Sequence, residues 1–418
     1  MESIKAVFFC DSYQYTGTTG NEGFLKFLNP ILESLKKNIK LHEIWIVTHG
    51  GSNSKIFKED IDAYNVFNFN DAKELLENLK PDILLMTSSE YICYSLMIAA
   101  KKLNIPSVFL DSGILYSTEK SSLSNTFQKR LSQVRLSGND FFKKYSFLFK
   151  TQLKLKLGIT DIFKTFFQIF GQLISSIDRI EVRSKADVYI CSNNDWEDDA
   201  IKKGVPREKI FVVGESLLDP IFNELSTFTK NPRNKIEILF ITTSAVEHGI
   251  WTNQMRDKLV NDLVSELSRI KNISKLKIKI HPGENEDYYK QLVNSIYPEV
   301  EIIRLGNLSN LIFQSDVIVT FGQSSALIEA LLFEKPIILV NMFNEHYPFI
   351  TERIVHECKS GKETREKIED GSYRNIDQKN LSLYKERKFF KFDGKCGERA
   401  AEVILNIIKN RESKKRID

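Results

Sequence analysis

The sequence predicts an α/β protein built from two doubly wound parallel-sheet domains, and three observations carry that expectation. The first is length: at 418 residues the chain exceeds the ~250–300 residues at which a single core stops growing, so two domains of about 200 residues are expected. The second is alternation: short apolar runs of strand length are separated by helix-length periodic stretches, the pattern of parallel sheets covered by helices on both faces. The third is a pair of strand–turn–helix signals on consecutive apolar strands. One is Ile278-Lys279-Ile280-His281-Pro282-Gly283-Glu284; the other is Val317-Ile318-Val319-Thr320-Phe321-Gly322-Gln323-Ser324-Ser325, running into Ala326–Leu332.

In chain order, residues 5–10 read as an apolar strand ending in the polar, glycine-bearing loop Asp11 to Gly20, before a helix near Glu22–Lys37. This opening unit lacks G-x-G-x-x-G, so no dinucleotide fingerprint is read. Strands follow at Glu43–Thr48, Asp82–Thr87 and Pro106–Leu110, with helices near Asp71–Leu79 and Glu90–Leu103. The pattern places Asp11, His49, Glu90 and Asp111 near one rim, where ligands of such sheets bind. For each, the plain alternative is a cap or turn residue.

Between Ser117 and Ile180 the pattern changes to phenylalanine mixed with lysine at helical spacing. From Leu123 to Ser175 there are nine Lys and Arg against two acids, Asp140 and Asp161. Residues 123–175 are therefore expected to form helices outside the parallel sheet. Either they lie on an anionic membrane surface, or they pack on the first domain or at a homodimer interface. The sheet resumes at Asp187–Cys191, followed by a capped helix start at Ser192–Glu197 whose acidic run, Asp195 to Asp199, is expected to be a solvated first turn and not a metal motif. Ile210–Gly214 closes the first half.

The second domain is expected to open after the linker Asn231–Asn234 with strand Ile236–Ile241, whose outgoing loop runs Thr242 to Gly249. Further strands are expected at Leu276–Ile280, Val300–Arg304, Val317–Thr320 and Ile337–Val340, and a last helix near Glu398–Ile408. The expected division is 1–214, carrying the helical insertion at about 118–180, then 215–395, then a C-terminal helix and charged tail at 396–418.

Composition narrows the class. A hydrophobic content of 42% with 27% charged residues is that of a soluble globular protein. Fifty-nine basic against 55 acidic residues leave only +4, too weak a surplus to argue for nucleic acid. The five cysteines, at 10, 93, 191, 358 and 396, show no C-x-x-C pair or zinc spacing and are expected to be reduced, buried thiols. Met1–Cys10 reads as a first strand and not as a signal peptide, and no run of about 18 uninterrupted apolar residues occurs. A cytoplasmic location is expected, or the inner face of the membrane if the basic segment docks there.

The two turns suggest the chemistry. A glycine and hydroxyl turn opening a helix presents backbone N–H groups and the positive end of the helix dipole, which suits a phosphate oxygen. Ser325 and Glu329, four apart, share a helical face and could grip a phosphate and a ribose hydroxyl. His281 could donate to the same phosphate, with Ser324 and Ser325 adding hydroxyl or N–H contacts. Charge on a leaving phosphate can be stabilised in this way without a metal, and no persuasive metal cluster is present in the sequence.

The His281-Pro282 and Ser324-Ser325 signals, in that order on successive strands, resemble those of sialyltransferases, capsule-polysaccharide transferases and CDP-glycerol glycerophosphotransferases, within the GT-B class of nucleotide-sugar enzymes. The run Asp316–Thr320 with Glu329-Ala330-Leu331-Leu332-Phe333-Glu334-Lys335-Pro336-Ile337-Ile338 is similar to the last donor-site unit of that superfamily, and also of the UDP-N-acetylglucosamine 2-epimerases. The resemblance covers roughly Ala186 to Ile408. It implies two Rossmann-like domains facing a cleft, a last helix near Glu398–Ile408 that packs back toward the first domain, a nucleotide-sugar donor as substrate with no separate cofactor, and a glycan or lipid-linked acceptor in cell-surface polysaccharide synthesis. It also implies that Glu329 binds the ribose, that the loop with Ser244 and His248 lines the donor pocket with Pro282 and Gly322, and that an acceptor base comes from the facing domain. Asp11 is the first candidate for that base and Asp111 the second. The 2-epimerases carry His-Arg-Arg-Glu-Asn where this chain has Ser244-Ala245-Val246-Glu247-His248, and a Gly-Gly turn where it has Gln323-Ser324-Ser325. Both departures favour transfer over epimerisation. A nucleotide-binding but catalytically silent partner in polysaccharide assembly is the third reading.

Overall fold

The computed structural model describes residues 3–9, 22–48, 61–87, 91–111, 142–174, 182–229, 234–247, 249–322 and 324–415. The chain divides into two compact units: Met1–Phe222 with Arg387–Asp418, and Asn223–Glu386.

The first unit holds a seven-stranded parallel sheet of β1 (Ile4–Phe9), β2 (Leu41–Val47), β3 (Ile61–Asn65), β4 (Ile83–Met86), β5 (Ser107–Leu110), β6 (Val188–Cys191) and β7 (Ile210–Val212), in the order β3-β2-β1-β4-β5-β6-β7. Ala6 to Phe9 are all buried, because a central parallel strand is covered on both faces and so reads as a continuous apolar run. Side chains alternate between two cores. Val7 and Phe9 pack with α2 (Ala72–Leu79) and α3 (Tyr91–Lys102), while Ala6 and Phe8 pack with α1 (Glu22–Asn38) and the C-terminal helix. β3 was not foreseen: Ile-Asp-Ala-Tyr-Asn is an edge strand, half-buried and mostly polar in pattern, so it lacks the apolar run that marks the others.

Between β5 and β6 lie helix α4 (residues 142–154) and α5 (Ile159–Ile174), outside the sheet as expected. α6 (Asn194–Lys202) starts at Asn193, whose side chain accepts from Trp196 N–H at 3.1 Å. Its acidic run corrects the expectation of a solvated turn. Asp195 pairs with Lys388, Asp199 lies 2.9 Å from Arg183 and 3.1 Å from Lys203, and Glu197 lies 2.6 Å from Arg207. Lys203 is a local partner four residues on, but Lys388 and Arg183 come from other segments, which a local charge pattern does not reveal.

The chain enters the second unit within α7 (Asp219–Leu225) and returns to the first near the end of its fourteenth helix, Gln378–Phe389. The last helix, α15 (Cys396–Lys415), packs on α1. Asp219 fixes its start by accepting from Cys396 N–H at 3.1 Å and Gly397 N–H at 2.7 Å, satisfying two orphan donors and opposing the helix dipole. Gly397 lies so close to α1 that a Cβ would stand 2.6 Å from the Pro30 carbonyl carbon. Gly397→Ala is expected to force the helices apart and cost about 2 kcal/mol, the range for overpacking; a thermal melt measures it.

The second unit holds a six-stranded parallel sheet of β8 (Ile236–Ile241), β9 (Ile273–Lys279), β10 (Glu301–Ile303), β11 (Val317–Thr320), β12 (Ile337–Val340) and β13 (His356–Cys358), in the order β10-β9-β8-β11-β12-β13. Its helices are α8 (Asn253–Leu267), α9 (Glu286–Val293), α10 (Leu308–Gln314), α11 (Ser325–Leu332), α12 (Pro348–Thr351), α13 (Gly361–Glu369) and α14 (Gln378–Phe389). β9 begins three residues earlier than expected, pairing across an irregularity at Ile236/Glu237, and β13 is a three-residue edge strand without an apolar signature. Among the described residues the four cysteines, 93, 191, 358 and 396, are free and buried, and no helix is long and apolar enough to cross a membrane.

Candidate functional site

In the second sheet the strand order reverses between β8 and β11, since β8 leads outward to β9 and β10 and β11 outward to β12 and β13. In open α/β sheets the crevice beyond the carboxyl ends at such a point is where ligands bind. Both turns singled out in the sequence emerge there. Thr320 Oγ1 donates to Ile241 O at 2.9 Å, so the two strands leave the sheet together. Beyond them, Gly322 adopts φ +71°, and a Cβ on it would stand 3.1 Å from Thr243 Oγ1. Glycine serves here twice, for the left-handed backbone and for the close approach of the two loops.

The next residues open α11. Ser324 is its N-cap, with φ −139° and ψ 145°, and its hydroxyl accepts from Ala326 N–H at 3.2 Å. Its oxygen thus caps the helix end, while the hydroxyl hydrogen remains a donor. Ser325 is the first helical residue, and only its backbone is described. Glu329, one turn on, is partly buried and accepts from Ser309 Oγ at 2.8 Å, tying α11 to α10. Ser244 lies buried in the loop after β8. His248 and Asp11 lie outside the described residues.

The turn after β9 is held from three sides. His281 N–H donates to Glu284 Oε2 at 2.8 Å and faces Thr242 Oγ1 at 3.1 Å. Arg304 donates to the Pro282 carbonyl through Nε at 3.1 Å and Nη2 at 2.8 Å. Gly283 N–H donates to His281 Nδ1 at 3.1 Å. An Nδ1 that accepts leaves the neutral imidazole protonated at Nε2, so exposed His281 offers a directed N–H donor. Thr242 and Thr243, adjacent in sequence, therefore set the histidine turn and the Gly322 turn side by side.

Glu284 is the residue sequence reasoning missed. Its carboxylate is buried and accepts from Thr242 Oγ1, from Tyr289 Oη at 2.6 Å and from His281 N–H. Burial pushes its carboxyl above the ordinary value of 4.5, more than these hydrogen bonds lower it. Lys279, also buried, donates to the Ile280 and Arg304 carbonyls at 2.8 Å, and desolvation lowers its pKa. The available signal was position, a carboxylate directly after His-Pro-Gly. A raised folded pKa means that the folded chain holds this proton more tightly than the unfolded chain. The stability Glu284 contributes is then full below about pH 4.5 and lost as pH rises through its folded pKa. In denaturant titrations across pH 4–8, wild type is expected to lose unfolding free energy toward neutrality more steeply than Glu284→Gln.

A second cluster went unforeseen on the loop after β12. Glu345 Oε1 accepts from Trp251 Nε1 at 2.7 Å, its other oxygen accepts from Tyr347 Oη, and its N–H donates to Asn341 Oδ1 at 2.7 Å. Trp251 stacks on Phe321 with centroids 4.9 Å apart, which braces the residue before Gly322. Trp251 and Glu345 are 94 positions apart, so no local pattern announces the cluster.

In the first unit, Asp111 follows β5. It accepts from Tyr189 Oη at 2.7 Å and faces Arg183 at 3.7 Å. Burial and the Asp111 charge push the Tyr189 phenol well above its ordinary value. Among the described residues no three His, Cys, Asp or Glu side chains gather as a metal site.

No family model matches the chain and no curated protein matches it in sequence. Solved structures do. The UDP-GlcNAc 2-epimerase from Methanocaldococcus jannaschii superposes with a TM-score of 0.55 at 14% identity, covering 96% of this chain and 100% of that one. The UDP-GlcNAc 2-epimerase from Neisseria meningitidis, bound to UDP-GlcNAc, gives 0.51 at 14% identity, with 97% and 100% covered. A wall teichoic acid polymerase gives 0.52 at 12% identity, with 98% and 90% covered. At these identities what is shared is the fold, the GT-B architecture of two parallel-sheet α/β units.

Proposed function

We propose that this chain is a GT-B glycosyltransferase, or polyol-phosphate transferase, that moves its group from a CMP-, CDP- or UDP-linked donor to a glycan or lipid-linked acceptor in cell-surface polysaccharide synthesis. The reaction needs no metal and no cofactor besides the donor. The observation that supports this reading is the joint placement of the His281 turn and the Gly322 turn by Thr242 and Thr243 at the switch point of the second sheet. There His281 Nε2–H meets the leaving phosphate, the N-terminus of α11 at Ser325 adds backbone N–H groups, and Glu329 takes the ribose. Pro282 and Gly322 shape the turns, Ser244 lies in the loop after β8, and His248 is assigned to the donor pocket by resemblance alone. For the acceptor base we take Asp11, which follows β1 where the first sheet changes direction between β1 and β4. Asp111 stands second, because its carboxylate already receives a phenol and faces a guanidinium.

The test is nucleotide-dependent thermal shift with CMP, CDP, UDP and GDP, followed by donor turnover with and without acceptor glycans. A cytidine or uridine nucleotide is expected to raise the melting temperature in proportion to its occupancy, and its release is expected to require acceptor. The 2-epimerases among the structural neighbours favour a second reading, an isomerase acting on UDP-N-acetylglucosamine. Conversion of that sugar nucleotide with no acceptor present would select it. Nucleotide binding without turnover on any acceptor would select a silent partner in polysaccharide assembly.

A further inference from the structure

The insertion between β5 and β6 carries an apolar stripe that the described residues of the first unit leave exposed. α4 packs inward through Phe147 and Leu148, and Leu155 just beyond its end does the same. It is pinned by Thr151 Oγ1, which accepts from Ala72 N–H at 3.0 Å, and joined to α5 by Gln152 Nε2 donating to Thr165 Oγ1 at 2.9 Å. The hairpin is thus anchored, yet Phe149 and Leu153 on α4 are 43% and 53% exposed, and Ile159, Phe163 and Phe167 on α5 are 70%, 55% and 66% exposed. Each set is spaced four apart and so forms one stripe along its helix. A groove of about 340 Å³, lined by Leu148, Phe149, Leu153, Ile162 and Phe163, runs between them.

Cations border the stripe. Residues 142–168 hold six lysines and one acid, Asp161. Among the described residues, Lys150, Lys154, Lys156 and Lys164 have no ion-pair partner. On α4, Lys150 and Lys154 are also four apart and sit beside the Phe149–Leu153 row.

We infer that the α4–α5 hairpin docks on an anionic lipid surface. The exposed phenylalanine and leucine side chains dip into the headgroup–acyl boundary, and the lysines reach the phosphates around them. Charge selects this occupant over a second copy of the chain. A two-fold contact would bring the same cations against themselves, and lysine is depleted from protein–protein interface cores. The inference goes beyond the proposed transfer and does not rest on it.

The test is flotation of the full chain with phosphatidylcholine vesicles, with and without phosphatidylglycerol. Wild type is expected to float with the anionic vesicles, and to be released when salt rises from about 0.1 M to about 0.5 M. Phe163→Ser/Phe167→Ser is expected to abolish flotation. Lys150→Gln/Lys154→Gln/Lys164→Gln is expected to weaken partitioning about fivefold for each lysine removed. Both variants should melt as wild type does, because the altered side chains are exposed. Three outcomes overturn the inference: wild type that stays with the unbound fraction, flotation that both variants retain, and a concentration-dependent dimer lost in the phenylalanine variant while no vesicle is bound.

Discussion

Replacing His281 by alanine is expected to lower donor turnover about 10²–10³-fold, the scale for removing one preorganised donor to developing charge. The donor is preorganised because the ring is fixed from its other nitrogen: Gly283 N–H reaches Nδ1 at 3.1 Å, which leaves Nε2–H directed outward. The side chain is exposed and contributes no core burial, so the melting temperature should move little. kcat and kcat/KM should fall together, the sign of an interaction made in the transition state. Ser324→Ala gives the contrast. Its hydroxyl caps α11, and losing it should cost about 1 kcal/mol of stability with a smaller change in turnover. Unchanged turnover in His281→Ala would remove the proposed site.

Glu284→Ala is expected to cost about 3 kcal/mol, the largest stability loss from one side chain near the site. The substitution leaves the Thr242 and Tyr289 hydroxyls and the His281 N–H without their buried acceptor, and each orphaned donor carries a desolvation penalty of about 1–3 kcal/mol. The net is smaller than their sum, because wild type also bears the cost of burying the carboxyl group. Denaturant unfolding followed by fluorescence measures it. Activity should fall as well, since the same carboxylate seats the histidine turn. A melt unchanged from wild type would mean that water replaces the lost acceptor and that the turn holds itself.

The site divides between what local sequence reveals and what it does not. His281-Pro282-Gly283 and Gly322-Gln323-Ser324-Ser325 are each short strand-to-helix turns, and a turn announces itself through its glycine, its proline and the apolar run before it. The capping role of Ser324 was not legible because a hydroxyl at a helix start serves as cap and as anion ligand with the same residue type; the 3.2 Å bond from Ala326 N–H shows the cap. Glu329 faces the same difficulty: its tie to Ser309 on α10 lies across a helix pair. Glu345, Trp251 and Tyr347 come together from two loops, and nothing in either loop points to the other.

The sequence by itself determined the parallel-sheet class, most strands and the helical character of the insertion, because a buried parallel strand must be apolar along its whole length and a helix must repeat its apolar residues near every fourth position. Tertiary structure alone decided the edge strands β3 and β13, which are too short or too polar to carry that pattern, and the point, at Arg387, where the chain re-enters the first unit. It decided the pairing of Asp195 and Asp199 with Lys388 and Arg183, and the burial of Glu284 beneath the histidine turn. The physical reason is common to all of these: periodicity is a property of one segment, whereas an ion pair, a buried acceptor or an edge position exists only once a second, sequence-distant segment has been packed against it.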